Sequence, residues 1–259
     1  LTNTRENYYA IGKRGSRVSF NKYLDFCNEL KLPFEVKFPD INLLNRNEVA
    51  GCIRVDEQII DLVKFKNIAE RLIKKYKVNV FLKREFINDG EGEYNIIVNA
   101  SYSNFNRVNK LLGLSVRKFR YDVCNVPIVK LPKKLSGIGI TIMDGPFYSI
   151  LPYAGTGYHL FWSVKGSAKR SISTYAPKED SRKIANYRDG RYIPLLKQAM
   201  LIDVLRVTKI LRPDVELSDE RVTDLADYGN GKFAILTAKL NTCVLTARKI
   251  VNIVKTDKG

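Results

Sequence analysis

Tyr94-Asn-Ile-Ile-Val-Asn-Ala100, running on through SYSNFNRVNKLLGL to Leu114, is the stretch on which the fold class turns. Ile96, Ile97 and Val98 form a short apolar run with polar residues on both sides, which predicts a strand buried on both faces, as in a parallel sheet. The polar-apolar mix that follows predicts a helix, with Gly113 placed to end it. Upstream, Asp61 is a good N-cap for a helix that sets Leu62, Phe65, Ala69, Leu72 and Ile73 on one face and runs to about Lys75. VNVFLKREF (78–86) then predicts a strand, and Asp89, Gly90 and Gly92 a turn. Helix, strand, short strand and helix in that order resemble a piece of a doubly wound sheet, so the first expectation is an α/β fold.

Working outward, residues 116–164 change to antiparallel β character. GIGITIM and FYSILPY flank Asp144, Gly145 and Pro146, and YHLFWSV follows a turn at Gly155, Thr156 and Gly157. Asp-Gly between two β-rich runs predicts a hairpin, and the third run extends it to a meander. Residues 165–188 are polar and basic, an excursion or loop. Leu195, Leu196, Ala199, Met200, Ile202, Leu205 and Ile210 predict a long helix over Ile193–Leu211, stopped by Pro213. The closing KFAILTAKLNTCVLTARKIVNIVK predicts a strand at Phe233–Thr237, a tight turn and a helix over Asn241–Val254. At the other end, Tyr8–Ile11 predicts a strand. Ser19 caps a helix with Phe20, Tyr23, Leu24, Cys27 and Leu30 on one face, ending near Pro33, and 33–51 is irregular.

A chain of 259 residues, 45% hydrophobic and 27% charged, can bury a substantial core. No apolar run reaches the roughly 18 residues that a membrane span needs, and LTNTRENYYA has no signal layout, so a cytoplasmic protein with no membrane partner is expected. Cys27, Cys52, Cys124 and Cys243 are scattered, and His159 is the sole histidine, which excludes CxxC and histidine-rich metal sites and predicts no metal. The net charge of +17 raises nucleic-acid binding. The basic residues are spread along the chain without an arginine-rich arm, zinc finger or RNP-like strand, so nucleic acid is not the expected partner. The charge instead suggests an acidic part lying elsewhere, and Leu1 in place of Met suggests a processed or truncated product.

Three stretches together are similar to flavoenzymes of the D-amino acid oxidase family. YNIIVNASYSNFNRVNKLLGL resembles the strand and turn by which the chain returns to the flavin-binding sheet, GITIMDGPFYSILPYAGTGYHLFWSV the substrate-domain hairpins, and GKFAILTAKLNTCVLTARKIV the C-terminal strand and helix. The resemblance implies FAD as cofactor and a hydride passing to the flavin from a substrate carbon bearing an amine or hydroxyl. It also implies a remnant of a Rossmann-like FAD-binding domain (50–113 and 229–259) and a mixed, largely antiparallel substrate-binding domain with flanking helices (1–49 and 114–228). The family's GxGxxG loop, which cradles the FAD pyrophosphate at a helix N-terminus, is absent: Gly137 and Gly139, and Gly155 and Gly157, fall in hairpins. The resemblance therefore implies an N-terminally truncated chain, inactive alone.

Carried over residue by residue, the resemblance implies cofactor contacts at Asn99, Ala100 and Ser101 and at Lys239, Leu240, Asn241 and Thr242. There the start of the last helix and the Lys239 ammonium would face negative charge on the flavin. Tyr148, Ser149 and Tyr153 fall on the substrate hairpins, Arg188 and Arg191 suit a carboxylate or phosphate, and His159 is the candidate acid or base. The partner implied is a small-molecule substrate. The alternative is a non-catalytic basic module for nucleic acid or another polyanion, with Tyr102, Phe105, Phe119 and Tyr121 as stacking residues.

Overall fold

The structure is a computed structural model and describes residues 6–87, 94–164, 168–177, 184–213, 223–237 and 239–256. In chain order its elements are β1 (Glu6–Gly12), α1 (Phe20–Glu29), β2 (Phe34–Val36), β3 (Val49–Val55), α2 (Leu62–Lys75), β4 (Ile97–Asn99), α3 (Phe105–Leu111) and β5 (Phe119–Lys130). Then follow β6 (Ile138–Met143), β7 (Tyr148–Tyr153), β8 (Tyr158–Ser163), β9 (Ala168–Ser173), β10 (Met200–Leu211), β11 (Asp224–Asp227), β12 (Lys232–Leu236) and α4 (Cys243–Thr256). The chain is α/β with a large mixed sheet, as expected from its sequence. The predicted turn at Asp89, Gly90 and Gly92 lies outside the described residues.

Contacts divide the chain into two compact units: residues 1–80, 125–168 and 181–207, and residues 81–124, 169–180 and 208–259. Residues 50–80 thus group with the first unit, and 114–124 and 208–228 with the second.

The first unit is built on a sheet in which β8-β7-β6-β1-β3-β2 are successive neighbours; β6, β7 and β8 are the expected meander, and β1 joins β6 in parallel. Strand alternation divides the residues of this sheet between two faces. On one face Tyr8, Ala10, Ile138, Ile140, Ile142, Tyr148, Ile150 and Phe161 are buried in a core that also takes in Tyr192, Ile193 and Leu196. The other face carries Tyr9, Thr141, Ser149, Leu151, Tyr153, Tyr158, Leu160 and Trp162, most of them only half-buried. Ser19 caps α1 by accepting from Lys22 N at 3.3 Å, and Asp61 caps α2 by accepting from Lys64 N at 2.9 Å, both as the sequence indicates. Gly51 exists because Phe20 lies over it: a Cβ there would meet the ring at 2.3 Å.

The second unit holds a three-stranded sheet in the order β11-β12-β4, with β4 parallel to β12 and β11 antiparallel. Phe105, Phe119, Tyr121, Ile210, Ala234 and Leu236 form its core. Gly113, at φ 70°, ends α3, with Leu114 N returning to Asn109 O at 2.8 Å.

Three expectations are corrected. Ile193–Leu211 is not a helix: a 3₁₀ turn at Pro194–Gln198 leads into the strand β10. The apolar spacing fitted a helix, but Ile202, Val204, Val207, Thr208 and Ile210 are β-branched, and pairing with β5 outweighs the helical period. Residues 78–86 form no strand, because among the described residues they find no neighbouring strand to bond. β4 is not buried on both faces, since Val98 is exposed.

Candidate functional site

The two segments expected to meet a cofactor are brought together. Lys232, Phe233 and Ala234 pair in parallel register with Ile97, Val98 and Asn99, so β4 and β12 run side by side and end at the same rim of the sheet. Asn99-Ala100-Ser101 leaves from one strand and residues 237–242 from the next, a spacing of about 4.8 Å between strands. Chain exits at the carboxyl ends of neighbouring parallel strands are where open α/β sheets bind ligands.

Asn99 is buried and fully committed. Its Nδ2 donates to Phe105 O at 2.9 Å and to Asn109 Oδ1 at 2.7 Å, while its Oδ1 accepts from Ser101 N at 3.1 Å and Ser101 Oγ at 2.6 Å. Asn109 in turn donates to Ser115 O at 3.0 Å and the Tyr228 hydroxyl at 3.2 Å. The side chain of Asn99 therefore shapes the turn, and what the turn offers outward is exposed Ala100 and half-buried Ser101.

At the end of β12, Thr223, Thr237 and Thr242 join their hydroxyls: Thr237 to Thr242 at 2.8 Å, Thr223 to Thr242 at 3.0 Å and Thr223 to Thr237 at 3.1 Å. Lys239 N donates to Thr237 Oγ1 at 3.2 Å and Thr242 N to Lys239 O at 3.4 Å, so those two N–H groups are engaged inside the turn. Leu240–Thr242 form a 3₁₀ turn, and α4 begins at Cys243, two residues later than the sequence reading placed it. Lys239, Leu240 and Asn241 are exposed, and the positive end of a 14-residue helix stands behind them.

The residues expected to meet substrate lie in the first unit and do not converge. Tyr148 faces the core; its hydroxyl donates to Asp189 O at 2.8 Å and accepts from Tyr192 N at 3.2 Å and Ile193 N at 3.4 Å, and burial pushes its pKa up. It fastens the 189–193 loop to the sheet. His159, on the same face, is buried, and neither ring nitrogen has a hydrogen-bond partner among the described residues. Burial holds its pKa below the ordinary 6.5, outweighing the nearby Ile138 and Leu135 backbone. Arg191 donates through Nε to Glu48 Oε2 at 2.7 Å, which raises its pKa, and stacks on Tyr192. Arg188 Nε donates to Ala199 O at 3.0 Å. Ser149 and Tyr153 lie on the opposite, partly open face.

That open face holds residues that single-motif reading passed over. Tyr158, Leu160 and Trp162 alternate along YHLFWSV with inward His159, Phe161 and Ser163, and they stand across from Tyr153, Leu151 and Ser149. The alternation was the signal. For the alternative reading, Phe105, Phe119 and Tyr121 are wholly buried, so they offer no stacking surface.

No protein-family model matches the chain, and no curated protein matches it. Solved structures do. Glycine oxidase from Geobacillus kaustophilus superposes with TM-score 0.66 at 12% identity, covering 96% of this chain and 69% of its own. L-Proline dehydrogenase from P. horikoshii gives 0.64 at 13%, covering 94% and 69%. An FAD-dependent oxidoreductase from Pseudomonas aeruginosa gives 0.54 at 14%, covering 100% and 69%. The chain shares the fold of these three proteins. Within it nearly all of this chain finds a counterpart, while roughly a third of each neighbour finds none here. Among the described residues no helix is long and apolar enough to cross a membrane, and no group of histidine, cysteine, aspartate or glutamate could hold a metal ion.

Proposed function

We propose that this chain is the larger part of a flavin-dependent oxidoreductase that takes a hydride from an amine- or hydroxyl-bearing carbon of a small polar molecule. The observation that carries the reading is the side-by-side ending of β4 and β12, which puts both expected cofactor segments on one rim of a parallel pair within this fold. The groups at that rim suit the electron-rich carbonyl edge of a flavin: the exposed Lys239 with its ammonium, the exposed residues Ala100, Leu240 and Asn241, and a helix N-terminus. It does not suit a pyrophosphate, because no glycine-rich strand-to-helix turn is present in the sequence.

When bound, FAD supplies the hydride acceptor. This chain's own residues do three things. Lys239 and the start of α4 stabilise negative charge developing on the ring edge. The Asn99–Asn109 network holds the 99–101 turn in one shape, and the three threonines hold the other. The open face of the first unit, with Ser149, Tyr153, Tyr158 and Trp162, is the substrate wall in this reading, and its aromatic surface excludes water. The first unit is thereby assigned to substrate and the second to cofactor, in a cytoplasmic protein.

The test is flavin content. The natural polypeptide containing these residues, purified at full length, carries flavin absorbance, whereas residues 1–259 alone are colourless and inactive. Lys239→Met in the longer protein slows flavin reduction in stopped flow while leaving the unfolding midpoint unchanged. A longer protein that takes up no FAD after reconstitution overturns the reading.

A further inference from the structure

The open face of the first unit has a chemistry of its own. Tyr9, Thr141, Ser149 and Trp162 follow one another across β1, β6, β7 and β8 as successive register partners. They make a row about 14 Å long, with an aromatic residue at each end and two hydroxyls between. At the β1 end the Tyr9 hydroxyl donates to Glu57 Oε2, and burial together with this bond keeps the phenol protonated by raising its pKa. Glu57 itself stays exposed.

Two residues along β1 from Tyr9, Asn7 is 3% exposed, and its Oδ1 has no hydrogen-bond partner among the described residues. It stands over Gly139, where a Cβ would meet it at 2.5 Å. Gly139 shares a face with Thr141, so this acceptor is aimed at the same side of the sheet as the row. A buried acceptor without a donor is unfavourable, and a ligand that brings a donor removes that cost.

The row, Glu57 and Asn7 thus offer acceptors and aromatic rings. In a chain with 44 lysines and arginines, none falls at these positions. Lys130 ends β5 one step beyond the Val129–His159 pair, about 13 Å along the strands from the Trp162 row. Arg191 is held by Glu48 at 2.7 Å and Arg188 by Ala199 O at 3.0 Å, beside a loop that Tyr148 fastens to the other face. A carboxylate on the substrate would meet no cation in this row. A polyol brings acceptors as well as donors, whereas an ammonium brings donors only and a positive charge that Glu57 and the rings attract.

We propose that this face takes its substrate as a small organic ammonium without a carboxylate, its N–H groups directed to Glu57 and Asn7 and its alkyl part lying between Tyr9 and Trp162. This narrows the amine-or-alcohol reading of the flavoenzyme to the amine, and it rests on that reading for the oxidation that follows binding.

Matched ligands test it. Trp162 is the only tryptophan of the 259-residue chain and lies in the row, so its emission reports occupancy with or without flavin. Pyrrolidine shifts that emission saturably. Proline, the same ring bearing a carboxylate, binds at least about 10-fold more weakly, as do the neutral cyclopentanol and glucose. Glu57→Gln weakens pyrrolidine binding at least about 10-fold at an unchanged urea midpoint, and Glu57→Lys reverses the order of pyrrolidine and proline. Lys130→Ala leaves both affinities as they were. The proposal is overturned by the absence of a saturable response to pyrrolidine, by proline or glucose binding as tightly as pyrrolidine, or by affinity lost in Lys130→Ala and kept in Glu57→Gln. Pyrrolidine binding in a full-length natural polypeptide that takes up no FAD sinks the flavin reading alone. A full-length polypeptide whose flavin is reduced by proline and not by pyrrolidine sinks this proposal alone.

Discussion

Replacing Tyr148 by phenylalanine separates a structural role from a substrate contact. The ring stays, with its contacts to Phe161 at 5.1 Å and Tyr192 at 5.9 Å between centroids, and only the hydroxyl is lost. That hydroxyl serves three backbone groups, the Asp189 carbonyl and the Tyr192 and Ile193 N–H groups. The two N–H groups belong to buried residues of the core and find no water to replace it. At about 1 kcal/mol for each bond lost, with more where a buried donor is stranded, the cost is roughly 2–4 kcal/mol. With a urea m-value of about 2 kcal/mol/M the midpoint falls by about 1–2 M. Trp162, the only tryptophan in the chain, sits on β8 next to Tyr148's strand and reports this unit by fluorescence. Tyr153→Phe on the open face is the control, expected within about 0.5 kcal/mol of the parent. A Tyr148→Phe midpoint within about 0.2 M of the parent, at equal m, refutes the assignment of this hydroxyl as the clasp of the 189–193 loop.

Three further outcomes follow from the same coordinates. Asn109→Ala strips partners from the Asn99 amide, the Ser115 carbonyl and the Tyr228 hydroxyl, and it costs about 2–4 kcal/mol, with faster hydrogen exchange across 97–105 as its local signature. Gly231→Ala places a Cβ 2.0 Å from Asn95 O at φ 71°, so thermal denaturation of the second unit falls by several degrees, whereas Gly113→Ala, where nothing lies within 4 Å, costs only the φ strain of about 1 kcal/mol. His159 is neutral in the fold with a pKa below 6.5; the unfolded chain therefore binds the extra proton, and stability is whole above about pH 6.5 and declines as pH falls through the window beneath it. His159→Phe flattens that part of the urea midpoint's pH profile, and an unchanged slope would remove the role.

Much of this was legible in the residues, and the failures share a cause. Caps and turns are local: Ser19 and Asp61 bond N–H groups three residues away, Gly113 adopts the positive φ that ends α3, and Asp144-Gly145 divides two β-rich runs, so each was readable from a few neighbours. β10 was not, because whether its apolar residues serve a helix or a strand depends on β5, some 80 positions earlier along the chain. The same holds for the site. That Asn99 and Thr242 flank one rim follows from the β4–β12 pairing, which no local pattern encodes, and that Tyr148 is spent on the backbone at 189–193 follows from a loop 40 residues away.

The segment 78–86 carries this reasoning furthest. Its alternation of Val78, Val80 and Leu82 is a sound strand signal, and its apolar side chains lie open to solvent at 54%, 52% and 81%. A strand is a property of a pair, since its N–H and C=O groups need a neighbour. Sequence reasoning therefore did not misjudge the segment so much as presuppose a partner strand, and none is found for it among the described residues.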